Sequence, residues 1–388
     1  MKKAIAALAV VVALVLATVA FATTNEASGP SHATAVAASA ASTISCSKAK
    51  IGVMAPLTGG AASVGQEQKN WVKFLVARAN KANHTKFGIV EGDTQLNAGQ
   101  ALIVAKQFAS NKNILATVGP AGSQEVLSAG PALKGKLAFI SGSATNVTLT
   151  DGRFRGWFFR TVGSDRAQGK TDATYVAKVL KAKDVEIIDD QTSYATGLAA
   201  FASSTFKALK VKVRRASVSQ SQADFSSVIS SIPSSVKVTM LFWQLAAKGQ
   251  VFYQQSRQQG KRYTIFGSDG LFDPSSFTAD GSYVSSFAFD IHRLASQRSL
   301  VKAYERKYGK FGTFGPPSGL AGQVIANAMK KACKDGKASR AEVRKWIART
   351  KMKTTILGLP LTFNALGDNT HARFYIFKIS NGQYVFVQ

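Results

Sequence analysis

From Ala49 onward the chain alternates short apolar runs with amphipathic stretches of helical length, and this alternation limits the folds open to it. Lys50–Met54, Phe87–Val90, Ile114–Val118 and Leu137–Ile140 read as strands, each followed by a turn and a helical pattern. Gln66–Ala82 places Trp71, Phe74, Leu75 and Arg78 on one helical side, and Asn97 caps a helix running to Ala109. Successive units of this kind join parallel strands through right-handed crossovers. After Asp165 the pattern begins again, with helix Gln168–Leu180, strand Val185–Asp189, helix Thr196–Leu209 and strand Val211–Val218. Helix Asp224–Ile232, strand Val236–Trp243, helix Gly249–Gln259 and strand Tyr263–Phe266 complete that set. Tyr283–Phe289 is expected to cross back, and helices Ser318–Cys333 and Ala341–Arg349 follow it. Arg373–Ile379 and Tyr384–Val387, joined by Asn381-Gly382, predict a closing hairpin. The fold class is α/β, two Rossmann-like lobes on parallel-type sheets, and 388 residues suffice for both.

Apolar residues make up 46% of the chain and charged residues 18%, which excludes a disordered protein. Lys and Arg outnumber Asp and Glu by 49 to 21, a net charge of +28. The basic residues are spread over helix faces (Lys178, Lys181, Lys183; Lys302, Arg306, Lys307), with no RNA-binding aromatic motif or zinc-knuckle spacing. That distribution suits a basic surface facing an anionic cell envelope and argues against nucleic acid as a partner. Lys2 and Lys3 precede an apolar run from Ala4 to Val19, and Ala20-Phe21-Ala22 fits a small-x-small cleavage site. Residues 1–22 therefore read as a signal peptide; the rival is an uncleaved membrane anchor, which no stop-transfer cluster supports. The Ala/Ser/Thr tract at 23–46 reads as a flexible leader. The mature protein is expected to be exported, in the periplasm or at the outer face of the membrane. Two cysteines, Cys46 and Cys333, are too few for a disulfide scaffold or a Cys-based zinc site. In an oxidising compartment they either pair or stay separate thiols, and a bridge would be worth upward of ~4 kcal/mol in the chain-entropy model. A lipidated Cys46 is disfavoured, since Thr43-Ile44-Ser45-Cys46 has no Leu three residues before the Cys.

Leu137–Asp165 is the stretch richest in functional signal. Its strand breaks into Ser141-Gly142-Ser143-Ala144-Thr145-Asn146, a turn of small hydroxyl residues where ligands of open α/β sheets collect. A basic, aromatic loop and a second apolar run, Trp157–Arg160, lead to a polar connector, Thr161–Asp165, read as the first crossing between lobes. Gly163 to Thr171 tempts toward a phosphate loop, but five residues separate its glycines and no buried strand of the usual kind leads in. A helix start with a surface Lys170 is the better reading. The four His (His32, His84, His292, His371) include no pair at metal-ligand spacing, and no Gly-x-Ser-x-Gly elbow is present. No enzyme activity, cofactor or metal is expected. Ser123, Ser143 and Thr145 follow two strands near helix starts, where amides and the helix dipole favour a carboxylate. Asp269 follows a strand of the second lobe, between Ser268 and Gly270, and Tyr194 follows another. Taken singly these are ordinary caps, turn residues and core. Together, an anion site and a cation site in opposing lobes point to a zwitterion.

At these residues the chain resembles the Leu/Ile/Val-binding protein family, the periplasmic-type solute receptors of branched-chain amino-acid ABC transporters. The resemblance spans Lys50 to Gly382. Its marks are Ile51-Gly52, Pro56-Leu57-Thr58-Gly59, Val118-Gly119-Pro120, the Ser141–Asn146 turn, Arg160-Thr161, Asp165 with Gln168-Gly169, and Asp190 with Tyr194 and Gly197. It implies a type I periplasmic binding fold, with lobes 47–163 plus 290–374 and 164–289 plus 375–388 joined by three crossings. It also implies that Ser123, Ser143 and Thr145, with Ala144 between them, hold an α-carboxylate, that Asp269 holds the α-ammonium, and that Tyr194 walls the ligand. The chain departs from the family's pattern in Asp269, one methylene shorter than the usual Glu, in Val64, where a Tyr is common, and near Trp243, where the expected aromatic falls on Gln244 or Leu245. The expected function is delivery of an amino acid or small carboxylate, by a monomer, to an ABC permease. A sensory receptor domain for an amide or other small metabolite is the alternative.

Overall fold

The computed structural model describes residues 43–388, so the expected signal peptide and nearly all of the leader lie outside the described residues. The first sheet holds β1 (Lys50–Ala55), β2 (Gly88–Asp93), β3 (Ile114–Val118), β4 (Ala138–Ser141) and β5 (Phe158–Arg160). Its order is β2-β1-β3-β4-β5, and every pairing is parallel. Parallel strands are covered on both faces, which explains why Ile114–Val118 and Ala138–Ser141 are buried throughout. On the covering layers lie α1 (Ala62–Asn83), α2 (Ala98–Ser110) and α3 (Ser123–Leu133).

The second sheet holds β6 (Asp184–Asp189), β7 (Lys212–Ser217), β8 (Val238–Phe242), β9 (Thr264–Gly267), β10 (Tyr283–Ser286), β11 (Tyr375–Ser380) and β12 (Gln383–Phe386). Its order is β12-β11-β10-β9-β8-β6-β7. Strands β6 to β10 pair in parallel, whereas β11 and β12 run antiparallel and cover the edge beside β10. Asn381 and Gly382 at the β11–β12 turn have φ of 50° and 70°, the left-handed conformation that a tight hairpin requires. The helices of this half are α4 (Asp165–Lys178), α5 (Ser193–Ala208), α6 (Ser226–Ser231) and α7 (Ala246–Gln258). The chain then returns to the first sheet with α8 (Arg298–Tyr308), α9 (Gly315–Ala332) and α10 (Arg340–Ala348). Helix α9 lies tightly on α1. A Cβ added at Gly319 would stand 3.0 Å from the Trp71 carbonyl oxygen, so a side chain there would push the two helices slightly apart.

One sequence expectation is corrected. Tyr283–Ser286 is a fifth parallel strand and not itself a crossing; Ser285 and Ser286 are buried there because their hydroxyls bond to Asp172 Oδ2 and to the Ala288 carbonyl. Helix α8 carries Lys302, Arg306 and Lys307 on its outer face, as expected of a basic helix face, and buries Leu300, Val301 and Tyr304, with Ala303 and Tyr308 packed beside them. The crossings themselves pack side by side, with Val162, Phe287, Ala288 and Phe374 forming one small apolar cluster. Phe374 immediately precedes β11, within which Phe377 is buried.

Cys46 and Cys333 are joined in a disulfide. Two short strands pair beside it, Ile44–Ser45 with Lys337–Ala338, which ties the entry of the chain to the end of α9. Denatured, non-reduced protein should therefore show no titratable thiol, and reduced protein should show two. Reduction should cost about 4 kcal/mol of stability, the upper end of the usual worth of a disulfide because the loop it closes is long. Two thiols before reduction would exclude the bridge.

Candidate functional site

The site lies where strands of both sheets end. Ser123, at the start of α3, and Ser143 follow β3 and β4; Tyr194, at the start of α5, and Asp269 follow β6 and β9. All four line one cavity of about 50 Å³. At about 10–15 Å³ per water, that is room for a few waters or one small solute. Its remaining walls are largely apolar, among them Pro56, Ala61, Val64, Leu96 and Phe314.

On the first-sheet side the donors come from the start of α3. Ser123 is its first residue, and its Oγ accepts from the Asn146 N–H at 3.2 Å, which leaves the hydroxyl proton for another acceptor. The helix end adds partial positive charge. Beneath it, Glu125 accepts from the Gly122 N–H at 2.6 Å, and burial pushes its carboxyl up to about 7. Ser143 is placed differently. Its hydroxyl donates to the Ala121 carbonyl at 2.9 Å and accepts from Gln68 Nε2 at 2.9 Å, so it is already committed.

Ala144 and Thr145 are buried and are not among the residues lining the cavity. The physical reason is the way the turn is held. The N–H groups of Ser143 and Ala144 donate to Ser141 Oγ at 3.3 and 3.0 Å. From the other side Arg160, 1% exposed, donates to the Asn146 carbonyl at 2.9 Å and to Thr150 Oγ1 at 2.9 Å. Thr145 lies against the Asp165 carboxyl, on which its hydroxyl acts as a hydrogen-bonding neighbour.

The second-sheet side is acidic. Tyr194 Oη donates to Asp269 Oδ1 at 2.6 Å and accepts from the Gly270 N–H at 3.3 Å, which fixes the carboxylate toward the cavity wall. Asp269 is 3% exposed, and no cation acts on it; burial pushes its carboxyl up to about 6. Two further buried acids stand in the same region. Burial, with the Asp269 charge adding to it, pushes Asp165 up to about 8. Asp172, bonded to Ser285 and packed in the interior, is raised well above the usual carboxylate range. No Lys, Arg or His lies in the cavity lining beside these acids. The cavity lining contains no His, Lys or Cys, and among the described residues no three His, Cys, Asp or Glu side chains converge as metal ligands.

These acids set the pH dependence of the ligand-free protein. Glu67 and Glu125, each raised to about 7, act with Asp269 and Asp165 in the same sense. A carboxyl whose folded pKa lies above its unfolded value binds its proton more tightly when folded. Stability is then full below the unfolded carboxyl pKa and is lost as pH rises through the folded values. Unfolding by urea should show the ligand-free protein less stable at pH 8 than at pH 5. The reverse order would mean that these carboxyls ionise without cost.

Leu96 and Phe314 are wall residues that sequence reasoning missed. Leu96, with φ of 55°, stands in the turn before the Asn97 cap, and Phe314 immediately precedes α9. Neither carries a chemical signal of its own. Gln244, which had been one of two alignments for a missing aromatic, lines the cavity; its neighbour Leu245 does not.

Comparison with known proteins places this geometry. The family model described as periplasmic binding protein matches residues 48–383. A Leu/Ile/Val-binding protein homolog of Brucella melitensis is 28% identical over 348 residues, covering 86% of this chain and 92% of that protein. Among solved structures, the branched-chain amino acid transporter substrate binding protein LivJ of Streptococcus pneumoniae, in complex with isoleucine, superposes with a TM-score of 0.76. It is 24% identical and covers 87% of this chain and 99% of its own. A solute binding protein of an R. palustris ABC transporter, in complex with benzoate, superposes with a TM-score of 0.78 at 18% identity, covering 87% and 95%.

Proposed function

The chain belongs to the periplasmic binding protein family, whose members bind solutes outside the cytoplasm and are not enzymes, and from that premise we propose that it binds a small aliphatic amino acid in the cleft between its two sheets. The observation that carries the reading is Asp269, buried against the cavity, hydrogen-bonded to Tyr194 and lacking any cation. An α-ammonium group supplies the missing charge. The α-carboxylate then meets the Ser123 hydroxyl and the free amides at the start of α3. Thr145 stays beside Asp165, outside the cavity lining, and makes no contact with the solute in this reading. Ser143 contributes a wall. The apolar lining from Val64, Leu96 and Phe314 suits an unbranched or branched aliphatic side chain.

Closing the lobes, 47–163 plus 290–374 on 164–289 plus 375–388, brings both charges of the solute into contact at once. Neither lobe satisfies both alone, so closure is favoured when solute is present. The hinge is the set of three crossings that meet at Val162, Phe287 and Phe374. In this reading the protein works as a monomer in the periplasm or at the outer face of the membrane, its basic surface toward an anionic envelope. An ABC permease then recognises the closed form. An aromatic acid such as the R. palustris protein's benzoate fits less well, because it would leave Asp269 facing no cation.

A thermal-shift screen tests this. At a hundredfold excess over Kd a true ligand stabilises by about 2.7 kcal/mol. Aliphatic amino acids should shift the melting temperature, while the matching amines and carboxylic acids, each lacking one charge, should not. A shift from aromatic acids alone would replace the reading.

A further inference from the structure

Gln124 and Gln244, 120 residues apart, meet across the cleft. Gln124 lies in the first turn of α3, and Gln244 follows β8 of the opposite sheet. Gln124 Nε2 donates to Gln244 Oε1 at 3.0 Å, and Gln244 Nε2 donates back to Gln124 Oε1 at 3.0 Å. Each amide is also anchored on its own side. Gln124 Nε2 donates to the Leu96 carbonyl at 3.3 Å. Gln244 Oε1 accepts a second bond, from Gln220 Nε2 at 3.1 Å, and the Gln244 main-chain N–H donates to Asp190 Oδ2 at 2.8 Å. Of these residues Leu96 and Gln244 line the cavity.

None of these bonds uses a solute atom. We propose that Gln124 and Gln244 form a latch that favours closure of the lobes before any solute arrives, and so set the affinity for every solute the cleft accepts. The proposal rests on the solute-binding reading of the cleft. Its physical basis is that only the closed form completes the site, so the apparent Kd is the intrinsic Kd divided by the closed fraction. The reciprocal pair turns two neutral hydrogen bonds into a term in that closed fraction. Each is worth a net factor of about 2–12, because water replaces the partner when the lobes part. Two pre-anchored amides lose little further freedom on pairing, which keeps the latch effective. These two glutamines are positioning residues; the contacts to the solute belong to the residues already described.

The test separates the latch from direct contact. Gln124→Ala, Gln244→Ala and the double variant are compared with the unchanged protein in two measurements. Small-angle scattering of the ligand-free proteins should show a larger radius of gyration in all three variants. Titration with each amino acid that binds the unchanged protein should show every Kd weakened by the same factor, about tenfold. The double variant should be no worse than either single one, since removing one amide already breaks the pair. An unchanged ligand-free radius of gyration overturns the latch, and so does a loss confined to some solutes, which would make Gln244 a side-chain contact. The scattering arm needs no solute, so it decides the latch even if the amino-acid reading itself fails.

Discussion

Asp269→Asn should remove amino-acid binding from the measurable range and, at the same time, make the ligand-free protein more stable at pH 8. The first effect follows from the ion pair. Taking one partner from a buried charged pair costs on the order of 3–5 kcal/mol, which is a loss of two to more than three decades in affinity. The second follows from the protonation of the empty site. Burial raises the Asp269 carboxyl from 3.8 to about 6, so the fold holds it ionised at pH 8 against a cost on the order of 3 kcal/mol. An Asn keeps the shape and still accepts the Tyr194 hydroxyl, but carries no charge to bury. A site that recognises charge is expected to be destabilising when empty, and removing that charge should show the exchange of function for stability directly. Calorimetric titration and urea unfolding at pH 8 check the two halves. Unchanged affinity would remove Asp269 from the site, and a less stable variant would show that the carboxylate is satisfied without a solute.

Arg160→Ala should destabilise the protein by about 3 kcal/mol and loosen the turn that carries Ser143 to Asn146. Arg160 is buried, donates to Asp368 at 2.7 Å through Nε, and holds the Asn146 carbonyl and Thr150 Oγ1 through its other nitrogens. Hydrogen bonds to a charged group are worth about 1.5–3 kcal/mol, and their loss leaves buried acceptors without donors. The cost stays toward the low end of the buried-pair range because Asp368, 30% exposed, regains water when Arg160 is gone. Asp368→Ala should cost less than Arg160→Ala, since the guanidinium keeps its other acceptors. Urea unfolding of both variants checks the order. If the two substitutions cost the same, Arg160 acts through the ion pair alone and not by pinning the turn.

The parts legible in the sequence are those set by neighbours along the chain. Apolar runs and helical patterns placed β1 to β4 and β6 to β9 within one to three residues of where they lie, because burial on both sheet faces and on one helix face writes itself into local order. The Asn97 cap and the Asn381-Gly382 turn were readable for the same reason, since each is a local answer to unpaired backbone groups or to a required φ. Ser123, Ser143, Tyr194 and Asp269 could be singled out because parallel sheets present their loops at strand ends. What each does there was decided only by the tertiary structure. The Ser143 hydroxyl is taken by Ala121 and Gln68 from other loops, and Ala144 and Thr145 are turned from the cavity by the hold of Arg160. Tyr194 meets Asp269 across 75 residues and Gln124 meets Gln244 across 120, contacts between loops of different strands that no periodicity encodes. The choice between a bridge and two thiols for Cys46 and Cys333 was open for the same reason, until β-pairing at residues 44–45 and 337–338 set them side by side. Sequence pattern reports which face is buried; which polar group answers which depends on how separate loops are brought together, and that is fixed by packing.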